Sequence, residues 1–416
     1  MGLKVKKEVI YGILFFACVG VPYLGSYELT FGVWSLTTLL TVRNKYSLTI
    51  LQQVGCFASI FLIALCISFF HEVKTYEYIR DITYMVKPIL GLLIGYQLCK
   101  DYMKNPLGLV VNTGILIAIA HLLVMVFSIM MYRITDMHKL REYSGYFSDY
   151  EVYALIILLF RKEFNLNISG KKYQIGVLLL SVSIALYLAR TNFIQLGIFY
   201  LALKGYFRIN KRSVIIISTL VFVLGASYAA IYSYNPKRGS KGFEAFLYKI
   251  KIAPTEPFKT KVRADDWKDF HDNYRSYETI LTLRQVPQGG VSAVLFGEGM
   301  GSSIDLKRKV WLQTSLMRYI PFLHNGFMTV FLKSGLIGDI ILIISILLFF
   351  RHKKTDDSRV KHLNYLMTGT GLFLVMSYWV FMGLYFVPDS KSVIIGFLIR
   401  YRENVIASLK NPKLIS

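Results

Sequence analysis

The stretch "PFLHNGFMTVFLKSGLIGDIILIISILLFF" (residues 321–350) decides the fold class. Behind a histidine and an asparagine, the chain turns apolar for the length of a bilayer, interrupted by Lys333 and Asp339. A run of about 18 or more such residues reads as a membrane-spanning helix. Twelve segments fit that reading, near 9–24, 28–42, 47–70, 79–98, 106–131, 149–160, 173–189, 191–207, 213–233, 325–350, 363–386 and 388–400; the second, sixth and last are short. With 54% apolar residues over 416 positions, the expected fold is an all-α polytopic membrane protein of about twelve transmembrane helices. The start "MGLKVKKE" leads into the first segment with no clear cleavage site, so no removable signal peptide is expected.

Charge distribution sets the expected orientation. With the N-terminus in the cytoplasm, "RNK" (43–45), "RKEFNLNISGKK" (161–172), "KGYFRINKR" (204–212), "RHKKTDDSRVKH" (351–362) and the C-terminal tail all fall inside, and all are basic. "GSYELT" (25–30), "HEVKTYE" (71–77) and "VPDSK" (387–391) fall outside and are not. Positive residues flanking spans favour the cytoplasmic side. The net charge of +23 is therefore explained by topology, and no nucleic-acid partner is expected. The cysteines, Cys18, Cys56, Cys66 and Cys99, lie in or beside early apolar segments and imply no disulfide framework.

Three regions follow: helices 1–9 over residues 1–233, a long outer loop over 234–322, and helices 10–12 with a cytoplasmic tail over 323–416. The loop carries 15 Lys plus Arg against 9 Asp plus Glu, which points to an anionic partner on the outer side. Within it, "DDWKDFHDNYRSYETILTL" (265–283) spaces Trp267, Phe270, Tyr274, Tyr277 and Leu281 helically, predicting an amphipathic helix that suits a membrane surface. Gly297, Gly299 and Gly301 resemble a phosphate nest without its strand–helix context, so a plain turn is the simpler reading. The aspartates at 265, 266, 269 and 272 read as a solvated helix face; no metal and no cofactor is expected.

Candidate chemistry collects on the outer side. His324 precedes a helix start whose positive dipole end disfavours imidazolium, predicting a neutral ring able to accept a proton. Asn325 is placed to cap that helix. Arg190 sits in the tight link "ART" between two spans, where a guanidinium is held still and suits phosphate. Arg275 lies one turn beyond His271, with Glu278 as a local ion-pair partner. Arg80 and Lys87, seven residues apart, share a helix face; a lysine that deep in an apolar segment suggests function. Interfacial packing, snorkelling and solvated charge are the structural alternatives for these residues.

Three of these features together resemble the O-antigen polymerase and O-antigen ligase superfamily of bacterial membrane glycosyltransferases. They are an arginine between spans ahead of the loop ("ARTNFIQL", Arg190), an arginine on the loop helix ("NYRSYETIL", Arg275) and a histidine at the loop's exit ("LHNGFMTVFLKSGLIG", His324). "KPILGLLIGY" (87–96) is similar to the polymerase branch. The resemblance implies metal-independent, inverting glycan transfer at the periplasmic face of the inner membrane, with both termini cytoplasmic. The donor is then an oligosaccharide on undecaprenyl pyrophosphate, and the acceptor is a lipid-linked glycan or, for a ligase, lipid A core. Membrane lipids and a chain-length regulator complete the partners. His324, Arg190 and Arg275 take the catalytic roles; Arg80, Lys87, Asn325, Tyr274 and Tyr277 are assigned to substrate binding. A lipid-linked glycan flippase or other transporter is the reading from another class, since twelve spans suit it, although no internal repeat is found.

Overall fold

The computed structural model describes residues 7–410 except 135, 136, 209, 240–242, 255, 257, 258, 264, 313, 314, 387 and 389. It is almost wholly α-helical, with one two-stranded hairpin among the described residues. The helices are α1 (Lys7–Gly20), α2 (Tyr27–Leu40), α3 (Leu48–Ser68), α4 (Thr75–Leu98), α5 (Pro106–Tyr132), α6 (Met137–Ser144), α7 (Asp149–Leu159), α8 (Gly170–Leu186), α9 (Arg190–Leu203) and α10 (Lys211–Tyr234), then α11 (Phe243–Ile252), α12 (Trp267–Asp272), α13 (Tyr274–Gln285), α14 (Gly290–Phe296), α15 (Gly326–Leu347), α16 (Ser358–Val380) and α17 (Lys391–Lys410). Strands β1 (Ile304–Leu312) and β2 (Ser315–Ile320) pair antiparallel across an irregular register between Asp305 and Val310.

Each of the twelve apolar segments falls on one of these helices. Five are long and apolar enough to cross a membrane: α1 with the turn that follows it, α3, α5, α10, and α15 with its closing turn. That marks a membrane protein. Helices α2, α7, α8 and α9 are short, at 14, 11, 17 and 14 residues. Helices α4, α16 and α17 are long but carry charge, and they lie inside the bundle where that charge finds partners. Lys391 of α17 is bonded to Asp149 of α7, and both are buried.

Contacts gather the connections into two groups. In one, the Tyr27 and Tyr76 hydroxyls meet at 3.4 Å, the Phe147 ring lies 4.7 Å from Phe381, and Arg275 stands 5.3 Å over the Phe381 ring. In the other, Arg43 and Arg400 reach Asp101 at 3.5 and 2.7 Å, the Lys104 amide reaches Glu8 at 3.0 Å, and Arg208 lies 5.0 Å over Tyr365. The first group joins connections expected outside; the second joins connections expected inside.

The segment 265–283 does not form the single surface helix its periodicity predicts. Asp266 caps α12, and the chain breaks at Asn273 (φ −125°, ψ 27°) before α13 begins. The Asn273 amide group is bonded to both the Asp269 carbonyl and its carboxylate. The apolar face is spent internally. Phe270 and Tyr277 are buried with Ile304, Leu306, Ile320, Leu323 and Leu332, so the unit built from residues 262–332 has its own small core. That core continues into the first turns of α15.

The junction below it is set by glycine and one ion pair. Gly335 adopts φ 64°, ψ −165° inside α15, a conformation open to glycine and costly for other residues. The carbonyls released there accept from the 297–301 turn: Glu298 N–H to Leu332 O at 2.8 Å and Gly299 N–H to Lys333 O at 3.2 Å. A Cβ on Gly297 would lie 2.5 Å from the Lys333 carbonyl carbon, so the approach admits no side chain. These amides serve α15 and α3, and the glycine run is a helix-docking turn with no phosphate nest. Lys333 itself, fully buried, is bonded to the equally buried Asp81 of α4, which also accepts from the Gly301 N–H at 2.6 Å.

Lys333→Ala is expected to destabilise the protein by about 3 kcal/mol, the low end for a broken buried pair, because Asp81 loses its buried ammonium partner but keeps Arg80 and the Gly301 amide. Adding Asp81→Asn should recover part of that loss. Melting of the detergent-solubilised protein reads both effects, and an unchanged transition for Lys333→Ala would show the pair to be idle.

Candidate functional site

Where the unit with this second core meets the helical body, a cavity of about 630 Å³ opens. Arg190, Arg275 and His324 all line it, although they lie far apart in the chain. Arg190 is the first residue of α9, reached through a three-residue link in which Leu188 takes a positive φ of 47°. Its Nη1 donates to the Lys249 carbonyl on α11 at 2.8 Å, which aims the guanidinium along the cavity wall. Arg275, near the start of α13, donates from Nη1 to Glu256 at 3.1 Å. The ion pair expected between Arg275 and Glu278 is not made.

Glu278 instead holds His324. Its carboxylate is buried, 1% exposed, and accepts from the His324 backbone N–H at 2.9 Å. The same two oxygens lie 3.1 and 3.2 Å from His324 Nδ1. An ionised carboxylate only accepts, so the ring proton sits on Nδ1 and Nε2 keeps its lone pair. The negative charge of Glu278 raises the imidazole pKa above its ordinary value, against the opposing pull of burial. The shift runs opposite to the one expected from the helix dipole, because a carboxylate in direct contact outweighs partial charges at a helix end. The helix end is also already served, since Asn325 accepts from the Phe327 and Met328 amides at 3.0 and 3.2 Å.

The assigned binding residues separate. Tyr274 lines the cavity with its ring edge-on to His324, centroids 5.7 Å apart. Tyr277 does not face it; its hydroxyl donates to the Leu306 carbonyl at 2.8 Å and its ring is buried in the loop core. Asn325 is buried as a cap, which consumes its side-chain oxygen. Arg80 is bound to its neighbour Asp81 at 3.0 Å, and Lys87 reaches the Phe386 carbonyl beside Trp34. Lys87 lines a separate pocket of about 10 Å³, room for a single water, so these two cations serve the helix bundle.

Several other lining residues are absent from the sequence reading. Lys249 stands on α11 and Glu256 follows it, in a part of the loop to which the sequence reading assigned no element. Arg238 pairs with Asp272 at 2.7 Å and lies 5.2 Å over Trp267, forming the far wall with Tyr248 and His271. Three of the four clustered aspartates are engaged: Asp266 as a cap, Asp269 with Lys259, and Asp272 with Arg238. The site thus offers a carboxylate-oriented imidazole, several cations and aromatic walls in one hollow. That set can accept a proton from a hydroxyl while stabilising a nearby anion.

No protein-family model, curated protein or solved structure matches the chain.

Glu278→Gln removes the charge that stabilises imidazolium, so the His324 pKa is expected to fall. An NMR titration of labelled histidine reads the shift. A midpoint that stays put, or moves alkaline, would refute the assigned partnership.

Proposed function

We propose that the protein is a membrane glycosyltransferase of the O-antigen polymerase type. It extends a glycan at the periplasmic face of the inner membrane, taking the donor from undecaprenyl pyrophosphate and passing it to a lipid-linked acceptor. The observation that carries this reading is the meeting of Arg190, Arg275 and the Glu278–His324 pair in one cavity. Twelve spans with both termini cytoplasmic belong to the same proposal. They draw support from the helix under every apolar segment and from the division of connections into two contacting groups.

In this mechanism His324 Nε2 takes the proton of the acceptor hydroxyl. The freed oxygen pair attacks the anomeric carbon from the face opposite the leaving group, inverting the centre. The bond from that carbon to the pyrophosphate oxygen breaks, and its electrons leave with the pyrophosphate. Cationic side chains stabilise the departing charge, while Glu278 stabilises the imidazolium that forms. Neither step calls on a metal.

The transport reading leans on buried charges, and Lys333 bears on it directly. Its charge is matched by Asp81, which also anchors the Gly301 amide, so the pair serves assembly of the fold.

Replacing His324 with Ala should lower the rate of extension by about 10²–10⁴-fold, the usual share of a general base. Lipopolysaccharide gels of such cells should show single-repeat caps in place of a ladder, with protein levels unchanged on immunoblot. A normal ladder would reject the mechanism. Bare core with accumulated long polymer would point to the ligase. With the base intact, extension should rise as pH climbs through the raised His324 pKa, because only the neutral ring accepts a proton. In Glu278→Gln the rise should begin at lower pH and reach a lower plateau.

A further inference from the structure

One buried cation of the bundle has no carboxylate against it. Arg402, on α17, is 4% exposed. Its Nη1 donates to Asn364 Oδ1 on α16 at 3.1 Å, and its buried Nε has no partner among the described residues. It forms no ion pair among them either. Glu403 beside it is the carboxylate whose field reaches it, but the two Glu403 oxygens accept from Ser47 at 2.6 Å and from Tyr96 at 2.8 Å. The fully buried Lys333 and Lys391, by contrast, each hold an aspartate. A guanidinium does not shed its proton, so burying one without a counter-charge is costly until an anion joins it.

The surroundings add positive charge. Asn364 also accepts from the Lys353 amide at 3.2 Å and donates to the Lys353 carbonyl at 2.8 Å, which ties the 351–357 link to the amide that holds Arg402. In that link His352 Nε2 lies 2.8 Å from Thr368 Oγ1, one turn along α16 from Asn364. Burial, and then the charges of Arg208 and Arg402, hold the His352 imidazole below its ordinary pKa, so both guanidinium groups act on this one ring. Arg208 comes from the 204–210 connection, is exposed, and stands 5.0 Å over the Tyr365 ring. It too forms no ion pair among the described residues. The acids of the link do not answer these charges. Asp357 caps α16 and holds Arg359 at 3.0 Å, and Asp356 is exposed and bonded to neither arginine.

We propose that Arg402 and Arg208 form a binding site for a phosphate group, with the unpartnered Arg402 Nε as one of its donors. The planar fork of a guanidinium matches phosphate oxygens. Arg208 belongs to the group of connections expected inside, opposite to the group that contains Arg275, so this site is separate from the large cavity. Basic sites between helices on the cytoplasmic side take the headgroups of anionic lipids, and a soluble phosphate offers the same chemistry. The proposal stands whether or not the protein transfers glycan.

Thermal unfolding of the full-length protein in nanodiscs tests the site. The discs hold phosphatidylcholine alone or phosphatidylcholine with rising fractions of phosphatidylglycerol. A further series adds sodium phosphate to phosphatidylcholine discs, against sodium chloride at matched ionic strength. The wild-type protein should melt higher once a phosphate source is present, because a ligand of the folded state stabilises it. Arg402→Gln should lose that gain, and in phosphatidylcholine alone it should melt no lower than wild type, since it removes a buried charge that nothing balances. Apparent affinity in the titration should fall at least about tenfold, the usual worth of a charge-assisted hydrogen bond. Arg208→Gln, a change at an exposed position, should weaken binding as well, whereas Lys45→Gln, at an exposed lysine expected on the same side, should not. A gain with phosphatidylglycerol alone identifies the site as one for a lipid headgroup, and a gain with both sources as one for any phosphate. No gain from either source overturns the proposal. So does a gain that survives Arg402→Gln, or one that Lys45→Gln lowers as much as Arg208→Gln, as attraction between a basic surface and an acidic bilayer would give. Should Arg402→Gln fail to fold, Arg208→Gln against Lys45→Gln decides.

Discussion

The buried pair of Lys333 and Asp81 holds this architecture together. An ammonium in an apolar interior is tolerated while a carboxylate stays against it, and the pair's attraction does little more than offset the lost hydration. Its value lies in what else the carboxylate reaches. Asp81 takes the Gly301 amide and the Arg80 guanidinium along with Lys333. One side chain on α4 therefore ties together α15, the glycine turn and the outer unit. The break at Gly335 makes this possible, because an unbroken helix would have no free carbonyls to offer the turn.

Magnitudes explain why His324 behaves as it does. A helix terminus contributes about 0.3–1 kcal/mol to a nearby charge. Two opposite charges 4 Å apart at an effective dielectric of 20 attract by about 4 kcal/mol. The ring is 43% exposed, so solvent screens part of that attraction, yet the carboxylate still prevails. The arrangement resembles the oriented imidazoles of hydrolases in its logic: a fixed acid group chooses the tautomer, and the opposite nitrogen does the work.

Much of the fold was legible, because apolar length is a strong signal and every such segment lies on a helix. Arg190, Arg275 and His324, singled out by order and spacing, line one cavity. What escaped the reading has a common cause. Glu278 was visible as a charge one turn from Arg275, but helical proximity could not reveal that a distant backbone would bring His324 to it. Lys249 lies on the short helix α11 and Glu256 just beyond it, in a part of the loop to which the sequence reading assigned no element. Arg80 and Lys87 were misjudged for the opposite reason: sharing a helix face says nothing about which neighbours that face meets, and here they are Asp81 and Phe386. The aromatic period at 265–283 was real, but its apolar face found a protein core before it found a lipid one.

The discontinuity in α15 divides that helix mechanically. Before Gly335 its turns share the 262–332 core on one face and the bundle on the other, and after it they pack with the bundle alone. Spans that do not match the thickness of their bilayer respond by tilting, and a helix tilts most easily where its ladder is already interrupted. A tilt driven by bilayer thickness would pivot most readily at this discontinuity, and the imidazole with its carboxylate lies on the side of it that carries the 262–332 core.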